Sequence, residues 1–130
     1  MDALAYLLVG VGGAIGGGSR FVVSAAIGKA WGERFPWGTL GVNVSGALLI
    51  GVVAGIGRLT GDGAGHTPMD DLVITGVLGG YTTVSSFCMQ TINLVLAKSP
   101  AYAAINVVAS TVLCLIAVFI GYFGVMSLGS

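Results

Sequence analysis

The chain has 130 residues, 55% of them hydrophobic and only 8% charged, with a formal net charge of zero. Roughly a quarter of a soluble domain's residues are charged, so most of this surface suits lipid rather than water, as a mean hydropathy of +0.99 also indicates. Zero net charge and the lack of a basic stripe with interleaved aromatics exclude an electrostatic case for nucleic acid.

The first stretch, "MDALAYLLVG", lacks the positive n-region of a secretory signal and is taken as mature sequence entering a membrane. Charges then punctuate the chain. Arg20 stands alone between Ala3 and Lys29, and no charge falls in 35–57, in 72–97 or after Lys98. About 20 apolar residues cross a hydrocarbon core of about 30 Å. Four spans are therefore predicted, near 3–28, 37–58, 71–97 and 101–126, in a single membrane domain covering 1–130. The connections "KAWGERFP" and "KSP" are short, so the spans alternate in direction. Only "LTGDGAGHTPMD" is long enough to be flexible, and His66 within it is expected to be solvated.

Small residues form a packing code within the spans. Gly12, Gly13, Gly16 and Gly17 give two overlapping small-xxx-small patterns, and Gly51/Gly55 and Gly76/Gly80 give one each. Such patterns let helix backbones approach closely where no hydrophobic effect drives association. Four short spans bury little alone, so an oligomer is expected. Lys29, Arg34 and Lys98 gather on one side against Arg58 on the other, which would place both termini outside by a few charges.

With charges absent, neutral polar residues carry the signal. The second span holds Asn43 and Ser45. In the third, Thr82, Ser86, Gln90 and Asn93 recur at helical spacing, and in the fourth Asn106, Ser110 and Cys114 share one face. Two readings stand side by side. One is hydrogen-bond glue between helices. The other is a pathway lined by neutral donors, which favours an anion because hydroxyl and amide hydrogens can point at it. A cation pathway would call for Asp or Glu rings, and a proton-coupled one for an intramembrane acid or His. Arg20 either snorkels to the interface or holds positive potential at a vestibule. Cys88 and Cys114, both in apolar runs, are expected to be small buried hydrophobes. No embedded base is available to activate a serine or threonine, so an enzyme is not expected.

The nonapeptide "GGYTTVSSF", Gly79 to Phe87, is the least helical stretch of the third span. Paired glycines cost helix stability and five hydroxyls compete for backbone hydrogen bonds. Non-helical backbone at membrane depth survives only when buried in protein or lining a wet cavity. A helix break is therefore predicted there, whose freed carbonyls could coordinate a small hard cation.

The stretches "GAIGGGSR", "PWGTLGVNVSG" and "GVLGGYTTVSSF", in this order over nearly the whole chain, resemble the Fluc family of small fluoride channels. The resemblance implies an all-α integral membrane protein with four transmembrane helices, the third broken near its middle, assembled as an antiparallel dual-topology dimer in the cell membrane. It implies passive, selective export of fluoride, which protects the cell from fluoride toxicity. A structural sodium ion at the dimer centre would be held by main-chain oxygens of Gly79 and Thr82. Asn43 would match the family's pore asparagine, Phe87 one of two pore phenylalanines, and Arg20 a vestibule arginine. The anion pathway would run past Thr83, Ser86, Asn106 and Ser110. Val84 stands where the first phenylalanine is usual, Gln90 where a glutamate is common, and Asn106 where a tyrosine often begins the fourth-span track. The partner subunit, self or an unlike homologue, stays open on these departures. A small dual-topology multidrug exporter would need an intramembrane carboxylate that the first span lacks. A non-conducting assembly subunit would use the polar stripes only as glue.

Overall fold

The computed structural model describes residues 3–32, 35–60 and 71–129. Its regular elements are all helical: α1 (Ala3–Trp31), α2 (Trp37–Thr60), a π-helical stretch (Asp71–Leu78), the single turn α3 (Gly79–Tyr81), α4 (Ser85–Leu96) and α5 (Pro100–Leu128). Helices α1, α2 and α5 are long and apolar enough to cross a membrane. The shortest, α2, has 24 residues, or about 36 Å at about 1.5 Å per residue, more than the hydrocarbon core. The third predicted span is different, because its 71–97 run is divided between α3 and α4. The loop carrying His66 and Asp70, and Glu33 and Arg34, lie outside the described residues.

Apolar side chains face outward. Leu7, Phe21, Met89, Val108, Ile120 and other large hydrophobics are more than half exposed, a surface that water would penalise and lipid would not. The interior is correspondingly thin and built from small groups, with Ala5, Ala47, Ala103 and Ala117 buried beside Leu40, Val42 and Leu78.

Backbone contact replaces side-chain packing along two seams. Between α1 and the π-helical stretch with α3, a Cβ on Gly12 would lie 2.8 Å from the Gly76 Cα, and one on Gly80 would lie 2.9 Å from the Gly13 Cα. Residue numbers rise together along this seam, so these segments run parallel. Helices α2 and α5 also run parallel: a Cβ on Gly51 would meet the Tyr122 nitrogen at 3.0 Å, and one on Gly121 would meet the Val52 nitrogen at 2.9 Å. Any side chain at these positions would push backbones apart. A Cβ on Gly17, expected in the same pattern, would meet nothing within 4 Å among the described residues.

The ends of the helices sit where turn chemistry allows. Gly32, at φ +89°, closes α1 by donating its N–H to the Gly28 carbonyl at 2.8 Å. Nearby, Trp31 and Trp37 pair at 5.5 Å, Phe35 and Trp37 at 4.7 Å, and Phe35 meets Tyr102 edge-on at 6.1 Å. The end of α1 and the starts of α2 and α5 thus share an aromatic girdle of the kind that favours a membrane–water interface. Between α4 and α5 the Ser99 N–H bonds the Leu94 carbonyl and the Lys98 N–H the Val95 carbonyl. That Schellman turn places Lys98 at φ 60°. Cys88 is exposed and Cys114 half-buried. The expectation of buried thiols therefore fails for Cys88, which shares an uncovered face of α4 with Val84 and Ile92.

Candidate functional site: a helix break held by α2

The break falls at residues Thr82–Val84. Thr82 turns extended (φ −77°, ψ 159°), and Val84 (φ −89°, ψ −35°) leads into α4. This lies inside the predicted stretch Gly79 to Phe87, on the C-terminal side of the Gly79-Gly80 pair. Those glycines remain helical, where the missing side chain lets Gly80 lie against Gly13. The chain leaves the helix instead where Asn43 of α2 captures a whole residue. The Thr83 N–H donates to Asn43 Oδ1 at 2.7 Å, and Asn43 Nδ2 donates to the Thr83 carbonyl at 2.8 Å. An N–H can only donate and a carbonyl only accept, so the amide has one possible orientation here. With both its backbone groups engaged by Asn43, Thr83 makes no backbone–backbone hydrogen bond into either flanking helix among the described residues.

Hydroxyls complete the turn. Thr82 Oγ1 donates to the Leu78 carbonyl at 3.0 Å, and Thr83 Oγ1 accepts the Ser86 N–H at 3.1 Å, satisfying one of the orphan donors at the start of α4. Thr83 Oγ1 also meets Ser85 Oγ at 3.2 Å. None of the carbonyls of Gly79 through Thr82 accepts a backbone N–H across the break, among the described residues. Gly79 is exposed. These uncommitted oxygens are hard donors suited to a small hard cation. No group of three His, Cys, Asp or Glu gathers among the described residues.

A second polar set joins α4 to α5. Ser110 Oγ donates to Asn106 Oδ1 at 3.4 Å, Asn106 Nδ2 to Thr91 Oγ1 at 2.8 Å, and Thr91 Oγ1 to the Phe87 carbonyl at 2.7 Å. Asn106 is 2% exposed and Ser110 8%; Cys114, on the same face, is not part of the run. Thr91 is absent from the sequence-derived stripe, yet a signal existed. It lies seven residues before Lys98, and Asn106 lies seven after Ser99, and residues equidistant from a tight helical turn meet at one level.

The rest of the predicted stripe divides. Ser86 is half-buried at the break, whereas Gln90 and Asn93 line a cavity of about 490 Å³ with Ser24, Thr39, Phe35 and Trp37. The Gln90 Oε1 is buried there without a partner. Asn43, Thr82, Thr83 and Ser86 come together, and Asn106 and Ser110 reach the Phe87 backbone through Thr91. The Phe87 ring is half-buried, and Val84 is 74% exposed. Arg20 is half-buried on α1, one turn beyond Gly16, whose Cβ would lie 2.8 Å from the Tyr81 nitrogen. The parallel seam thus carries Arg20 toward the break.

The family profile described as CrcB-like protein, Camphor Resistance (CrcB), matches residues 7–122. The chain belongs to this CrcB-like family. A relative from Brucella abortus biovar 1, named fluoride-specific ion channel FluC 4, is 50% identical over 97% of this chain and 95% of its own length. The fluoride-specific ion channel FluC of Opitutus terrae is 44% identical over 96% and 95%, and that of Rhodospirillum rubrum 46% over 93% and 94%. With its three long apolar helices, this CrcB-like chain is a multi-pass membrane protein.

Proposed function

We propose that this CrcB-like chain is a fluoride-selective channel of the plasma membrane, letting fluoride leave the cell down its gradient and so limiting fluoride toxicity. The observation that carries this reading is the break at Thr82–Val84, held open by Asn43 among apolar helices. The names of its relatives point the same way. Fluoride is small and tightly hydrated, so a pore must replace its water with convergent donors. The chain concentrates neutral hydroxyls and amides near the break and has no Asp or Glu in 3–32, 35–60 or 72–129. An acid there would repel the anion. Arg20 supplies positive potential on approach, and the edge of the Phe87 ring carries the positive part of its quadrupole.

In this reading the π-helical stretch, α3 and α4 together form the third crossing, completing four, and two chains pair antiparallel through it, each chain the partner of the other or of an unlike homologue. The main-chain oxygens of Gly79 and Thr82 would hold a structural sodium ion, whose positive charge would offset the mutual repulsion of those carbonyls. Fluoride efflux from liposomes containing only the purified chain, with chloride efflux as control, tests this. Fast fluoride release without chloride release is expected. No release from folded protein, even with an unlike subunit added, would exclude the reading.

A second reading, a non-conducting assembly subunit, draws on the fact that Asn43, Asn106 and Ser110 all bond within the chain. The same assay separates the two.

A further inference from the structure

Asn43 is not the only contact between α2 and the break. The Tyr81 hydroxyl lies 2.9 Å from Ser45 Oγ, and Ser45 Oγ donates to the Val42 carbonyl at 3.1 Å. A serine hydroxyl has one proton. With that proton on Val42, the Tyr81 hydroxyl is the donor to Ser45, and the relay runs in one direction from the break into the backbone of α2. The carbonyl at its end belongs to the most deeply buried valine of the chain, Val42, at 0% exposure.

Gly46, one residue beyond Ser45, makes room for this arrangement. A Cβ there would run into Thr82 Cγ2 and would lie 3.2 Å from Tyr81 Cδ2. One turn of α2, Val42 to Gly46, thus touches three consecutive residues: Tyr81 through Ser45, Thr82 across Gly46, and Thr83 through Asn43. Thr82 is held from both sides, although neither its N–H nor its carbonyl bonds to α2 itself.

The geometry points to Tyr81 and Ser45 as positioning residues that set where the Thr82 carbonyl sits, as a second strut beside Asn43. The inference rests on the channel reading for its consequence, since the strut matters to transport through the carbonyl oxygens assigned to sodium. Neither side chain need touch an ion. Losing a hydrogen bond of ordinary net strength changes a conformational population by about fivefold, which sets the size of the expected effect.

Two measurements on the full chain, as wild type, Tyr81→Phe, Ser45→Ala and the double variant, test it. The first is amide hydrogen exchange in lipid nanodiscs. Exchange at Thr83 and Ser86, whose N–H groups bond to Asn43 and Thr83, is expected to quicken about fivefold in Tyr81→Phe, with α5 unchanged. The double variant should be no faster than the quicker single one, because either single variant already removes the Tyr81–Ser45 bond and Ser45→Ala the Val42 bond as well. Unaltered exchange at the break in Tyr81→Phe overturns the strut, whatever the chain transports. The second is fluoride efflux as a function of sodium concentration. In Tyr81→Phe the sodium level for half-maximal flux should rise about fivefold, whereas a merely structural loss lowers flux equally at every sodium level and would overturn the positioning role. Wild-type chain without fluoride efflux, both alone and with an unlike subunit added, overturns the channel reading instead, and the exchange result alone then decides the strut.

Discussion

Asn43 and Asn106 are both half-buried or buried amides in apolar helices, but they hold different things. Asn43 grips a backbone residue, giving and receiving one hydrogen bond with Thr83. Asn106 grips a side chain, donating to the Thr91 hydroxyl and accepting from Ser110 at a long 3.4 Å. A backbone group has no rotamers with which to find another partner. A threonine hydroxyl does, and Thr91 already has one in the Phe87 carbonyl. The first amide therefore decides chain conformation, and the second only joins two helices that are formed without it.

Replacing each asparagine by leucine, of similar size, puts this contrast to a direct test. Asn43→Leu leaves the Thr83 N–H and carbonyl without partners in a poorly hydrated place, at roughly 1–3 kcal/mol per group. A loss of about 2–6 kcal/mol in unfolding free energy is expected, together with loss of fluoride flux. Chemical denaturation in micelles, followed by tryptophan fluorescence, measures the first. A variant that unfolds like wild type would show that the break holds its shape without the clamp.

Asn106→Leu should cost less. Hydrogen bonds between transmembrane helices average about 0.6 kcal/mol and reach about 1.7. After the change Thr91 keeps its bond to Phe87, and Ser110 gives up only a weak one. A loss near 1 kcal/mol is expected in the same denaturation experiment. Equal losses for the two asparagines would break the distinction between them and assign the α4–α5 run a conformational role of its own.

The same contrast explains what could be read from sequence. Charge gaps placed α1, α2 and α5 within a few residues of Ala3–Trp31, Trp37–Thr60 and Pro100–Leu128, because the cost of burying charged groups keeps all of them but Arg20 near the ends of these helices. The unusual composition of "GGYTTVSSF" announced a break for a local reason. Its position depended on Asn43, forty residues away, and nothing local distinguishes an asparagine that meets backbone from one that meets a hydroxyl. The two glycines are not themselves the break, because the same residue type that weakens a helix also lets two helices touch; at Gly80, against Gly13, the second property prevails. Thr91 was legible in principle, since the short Lys98–Ser99 turn fixes which residues of α4 and α5 stand at one height.

That turn offers the smallest test. Lys98 holds φ at 60°, a conformation that costs a non-glycine residue about 1 kcal/mol or more. Lys98→Gly removes that strain but adds freedom to the unfolded chain and takes a cation from the C-terminal end of α4. The balance favours glycine by about 0.5 kcal/mol, measurable as a small rise in the denaturation midpoint. Its value lies in combination with Asn106→Leu. If the turn alone sets the height at which α4 meets α5, the two changes act on separate parts of the hairpin and their effects add within about 0.5 kcal/mol. If instead the Thr91–Asn106 bond pulls Lys98 into its strained conformation, Asn106→Leu lets the lysine relax. The glycine then has less strain to remove, and its benefit disappears in the double variant. Additivity would therefore establish the hairpin turn as the element that brings Thr91 and Asn106 together, with their bond a consequence of the turn rather than its cause.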